Sequence, residues 1–118
     1  MKPAFIYMVV DDLKPALAFY RDELGLDEAW REGEGTVAFM LPGSDVQIMV
    51  DERTGDEPKW SSGPMFQVDD LDAWLADRSA ITRLSDPETA PGIRYATVAD
   101  PDGNAFHVFE LDGDEPSQ

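Results

Sequence analysis

Cysteine is absent from this 118-residue chain, which excludes a disulfide framework, a thiolate metal site and a cysteine nucleophile. Histidine is almost absent: His107 stands alone and far in sequence from Ser61-Ser62, so a serine–histidine hydrolase has no support. Basic residues are scarce as well. Nine Lys and Arg, of which only Lys2, Lys14 and Lys59 are lysines, stand against 25 Asp and Glu, giving a formal charge of −16. Such a surface repels nucleic acid phosphates and anionic lipid, so neither nucleic acid nor membrane is expected as a partner, whereas a cationic ligand would be drawn in. Long apolar runs are missing; none approaches the roughly 20 residues that cross a bilayer. A phosphate-cradling loop is missing too, because Gly33-Glu34-Gly35 falls in a hairpin rather than between a strand and a helix. The first residues reach Asp11 and Asp12 too soon for a secretory signal, and the expected location is cytoplasmic.

Against these absences stands a core-forming composition. Hydrophobic residues make up 42%, with three Trp, six Phe and three Tyr, enough for one compact domain over residues 1–118. The chain also repeats itself. Val10-Asp11-Asp12-Leu13 returns fifty-eight residues later as Val68-Asp69-Asp70-Leu71, and Leu17-Ala18 returns at the same offset as Leu75-Ala76. A strand ending in two carboxylates and feeding an amphipathic helix has been built twice. At helix starts such carboxylates act as caps and complement the helix dipole, rather than forming an acid–base pair.

The order of elements follows from local pattern. Residues 4–10 read as a strand. A helix follows with Leu13, Leu17, Tyr20 and Leu24 on one face, Pro15 tolerated in its first turn and Gly25 closing it. Strands are expected at about 26–31, 36–41 and 45–51, with 52–62 as a polar linker. The second half repeats the order: a strand at 64–68, a helix from about 70 to 78, a short strand near 81–85 and a turn-rich loop through Pro87 and Pro91-Gly92. Strands at about 93–99 and 104–111 close it, joined by a type I turn at Asp100-Pro101-Asp102-Gly103. Each half reads βαβββ, the first over 1–57 and the second over 58–111, with a frayed tail at 112–118. Trp30 and Trp74 are assigned to the core.

The segment VDDLKPALAFYRDELGL at 10–26, the second VDDL, and DPDGN at 100–104 followed by an aromatic strand resemble the vicinal oxygen chelate superfamily. Its members include glyoxalase I, extradiol dioxygenases, fosfomycin-resistance enzymes and bleomycin-resistance proteins. The resemblance covers essentially the whole chain and implies an α+β fold in which two βαβββ modules form a mixed curled sheet around a cleft. A homodimer is implied too. The family's enzymes hold a divalent metal on the first and last strands of each module. Matched position by position, those ligand sites fall on Phe5, Met49, Gly63 and His107, and only His107 has a side chain able to coordinate.

Strand parity places Gln47 and Met49 opposite the helix-facing Val46, Ile48 and Val50, and His107 opposite Phe106 and Val108. The expected ligand-binding set is therefore Phe5, Tyr7, Met49, Trp60, Met65, Gln67, His107 and Phe109, with Trp60 as a lid and Gln47 nearby. No catalytic residue and no cofactor is expected. Such a lining suits an aromatic or apolar small molecule held by contact, in the manner of the bleomycin-resistance branch, which sequesters a drug without transforming it. The alternative is a metal-dependent lyase or dioxygenase, using Zn, Ni, Mn or Fe, with displaced ligands around His107. A third is an interaction domain whose cleft is filled by side chains.

Overall fold

A computed structural model of the chain describes residues 1–53 and 62–112. The fold is α+β, with strands outnumbering helices. It divides into two compact units, Ala4–Gly63 on one side and Met1–Pro3 with Pro64–Gln118 on the other. The expected linker and tail are largely outside the described residues.

In the first unit, β1 (Lys2–Val10) leads to α1 (Leu13–Leu17), which widens into a π-helical stretch over Ala18–Glu23. Strands β2 (Glu28–Glu32), β3 (Thr36–Met40) and β4 (Gln47–Glu52) follow. The strand order is β2-β3-β4-β1, antiparallel except for the parallel pairing of β1 with β4. Asp12 adopts an extended backbone and its carboxylate accepts from the Lys14 N–H at 3.0 Å, which makes it the N-cap. Asp11 instead pairs with Arg53 at 2.8 Å. The π-widening is seen directly in the Leu24 N–H, which donates to the Phe19 carbonyl five residues back. Gly25, at φ +76°, then reverses the chain as the helix's closing residue.

The helix lies on one face of this sheet. Leu13, Val37, Phe39 and Val50 form its buried core, with Val10, Leu17, Tyr20 and Ile48 packed against them. Tyr20 stacks on Phe39 at 5.6 Å between ring centroids, and burial pushes its phenol pKa up.

The second unit repeats this plan with β5 (Gly63–Gln67), α2 (Leu71–Ala76), β6 (Thr82–Arg83), β7 (Glu88–Ala90), β8 (Ile93–Ala99) and β9 (Ala105–Leu111). β5 pairs parallel with β9, β9 antiparallel with β8, and β6 and β7 both lie antiparallel on β8. The stretch expected to be a loop through Pro87 thus contains a strand, β7. Together β6 and β7 are one interrupted strand: the Leu84 and Ser85 N–H groups both donate to the Thr97 carbonyl, which bulges the chain between them. Leu71, Leu75, Ala96, Val98 and Val108 form this unit's core, with Trp74 and Phe106 against it. Asp70 caps α2 by accepting from the Ala73 N–H at 3.1 Å.

The β8–β9 turn is closed by the Gly103 N–H to the Asp100 carbonyl at 2.9 Å, with Gly103 at φ +87°. The Asp100 carboxylate accepts from the Asn104 side-chain amide and from the Asn104 and Asp102 backbone N–H groups. Those bonds, the Asn104 amide first, hold its carboxyl below the usual carboxylate range.

Candidate functional site

Because α1 covers one face of the first sheet, the alternate residues of its strands present the other. Phe5 and Tyr7 of β1 stand in register with Gln47 and Met49 of β4, and Ala38 of β3 stands between Met49 and Trp30 of β2. Phe5 meets Trp30 edge-on at 6.1 Å between ring centroids. The Trp30 indole N–H donates to the Gln47 amide oxygen at 2.9 Å. This corrects the assignment of Trp30 to the core: its polar edge needs an acceptor, and Gln47 on the far face supplies one. Phe5, Tyr7, Trp30, Gln47 and Met49 are all half-buried, so the face is part aromatic and part amide.

Asp51 brings a carboxylate to this face. It follows Gln47 and Met49 on the same side of β4, and the Tyr7 hydroxyl donates to its Oδ2 at 2.6 Å while Thr36 Oγ1 donates to Oδ1 at 2.7 Å. Sequence analysis missed it. The signal was present, because the alternation of Gln47 and Met49 reaches Asp51 at the end of the strand expected over 45–51.

The corresponding face of the second unit is closed. Met65 and Phe109 are 5% and 3% exposed, and His107 is 2% exposed with its Nδ1 within 2.9 Å of the fully buried Thr97 hydroxyl. The Thr97 N–H in turn donates to Ser85 Oγ at 3.1 Å. Met65 and His107 are register partners, as are Gln67 and Phe109, so four of the expected residues lie side by side on β5 and β9. Gln67 alone of these is half-exposed. It lines a groove of about 370 Å³ beside the start of α2, together with Asp70, Trp74 and Arg78. The Arg78 guanidinium sits 4.4 Å over the Trp74 ring, so that aromatic surface is already taken. Trp60 lies outside the described residues.

A divalent metal, which the fold family implies, does not fit these residues. Three of the four inherited ligand positions are Phe5, Met49 and Gly63, none of which offers the oxygen or imidazole donor such an ion takes. The fourth, His107, has Nδ1 engaged by Thr97. Among the described residues no group of three or more His, Cys, Asp or Glu side chains is placed to hold an ion. Also among the described residues, no helix is long and apolar enough to cross a membrane.

Comparison with known proteins agrees with this architecture. The uncharacterized protein YraH of Bacillus subtilis (strain 168) is 27% identical over 127 residues, which cover 94% of this chain and 99% of YraH. Methylmalonyl-CoA epimerase from Mycobacterium tuberculosis superposes with a TM-score of 0.76 at 19% identity, over 96% of this chain and 89% of the epimerase. A glyoxalase/bleomycin resistance protein/dioxygenase superfamily member from Vibrio splendidus 12B01 superposes at 0.62 with 18% identity, over 88% and 94% of the two chains. At those identities the likeness is one of fold. The profile described as Glyoxalase/Bleomycin resistance protein/Dioxygenase superfamily matches residues 2–108. A match over nearly the whole chain, on a fold of two repeated units with helix caps at the same places, makes the chain a member of the glyoxalase/bleomycin resistance protein/dioxygenase superfamily.

Proposed function

We propose that this protein binds a small aromatic or apolar molecule without a metal and without transforming it, and that it works as a homodimer. The observation that carries this reading is the far face of the first sheet. There Phe5, Tyr7, Trp30 and Met49 offer half-buried apolar and aromatic surface while Gln47 and Asp51 supply fixed polar groups. A few oriented polar groups on a greasy wall are what small-ligand sites are made of. Burial on two aromatic rings contributes a few kcal/mol, at roughly 25 cal/mol per Å². Support also comes from the donor-poor inherited ligand positions, which leave contact rather than coordination to hold the guest. Sequestration of a drug-like compound is the biological form that the resemblance to bleomycin-resistance proteins suggests.

Native mass spectrometry of the purified protein, before and after dialysis against zinc, nickel, manganese or iron(II), tests this directly. The expected result is a dimer with substoichiometric metal that takes up aromatic compounds in the presence of chelator. Stoichiometric metal removed by chelator together with a catalytic activity would overturn the proposal. In that case replacing His107 by Ala would abolish metal uptake.

A further inference from the structure

We draw no further inference here: the strongest candidate, the groove of about 370 Å³ beside the start of α2 lined by Gln67, Asp70, Trp74 and Arg78, carries none, because Asp70 already caps the helix, Arg78 already covers the Trp74 ring, the unpartnered Trp74 indole N–H is buried, and nothing in the structure shows what fills the groove.

Discussion

Asp100 spends both carboxylate oxygens on the β8–β9 turn, Asp12 and Asp70 each spend one on a helix start, and Asp51 faces two hydroxyls on a half-buried sheet face. The same side chain does three kinds of work, and its neighbours decide which. At Asp100 the consequence is a pH dependence of known sign. Its carboxyl is held below the usual range by the Asn104 amide and nearby backbone N–H groups, so it favours the folded state whenever it is ionised. That contribution is present above the unfolded carboxylate value of about 3.9 and is lost as pH falls through the lower folded value. Asp100→Ala should therefore melt below the parent protein near neutrality, and the two melting temperatures should converge as the medium is acidified. Thermal melts across the acid range check this; a gap that widened in acid would contradict it.

The paired helices show what sequence can and cannot reveal about elements. Their starts were legible because Asp12 and Asp70 cap within a few residues, and strand parity was legible because alternation needs only a short window. The second cap was not. The first helical N–H of α1, Leu13, donates to Glu52 Oε2 at 2.9 Å, and that of α2, Leu71, donates to Glu110 Oε1 at 2.6 Å, each across thirty-nine residues. Glu110 follows Glu52 by the same fifty-eight residues that separate the two VDDL motifs, yet nothing local ties a glutamate on a last strand to a distant helix start. For the same reason β7 escaped notice, since prolines flank it and only its pairing with β8 defines it. Within the candidate site, Phe5 and Met49 were found through the family pattern and Tyr7 as an inward-facing strand residue; Asp51 was within reach of the same alternation, while the Trp30–Gln47 bond needed the sheet itself. Glu52→Ala and Glu110→Ala should each cost about 1 kcal/mol in urea unfolding, as loss of a helix cap does, and Glu→Gln at either place should cost less because an acceptor oxygen remains. An unchanged urea midpoint in both alanine variants would show that these carboxylates carry no capping energy.

At the scale of the molecule the dominant quantity is the charge of −16. Among the described residues the ion pairs are on the surface, as with Arg21–Asp22 and Arg94–Asp72, and exposed pairs contribute little. Most carboxylates are left to repel one another through water. Raising sodium chloride to about 1 M, which shortens screening to roughly 3 Å, should therefore raise the melting temperature; a steady fall on adding salt would show that the paired charges outweigh the repelling ones. The two Glu clasps, one per unit, have a consequence as well. With each helix held to its own closing strand, the architecture is secured twice, and the faces away from the helices are left to differ. In one unit that face is filled with Met65, His107 and Phe109, while the other keeps Asp51 and its hydroxyl neighbours within reach of solvent. One clasped scaffold thus carries a packed interior in one unit and a solvent-reached face in the other.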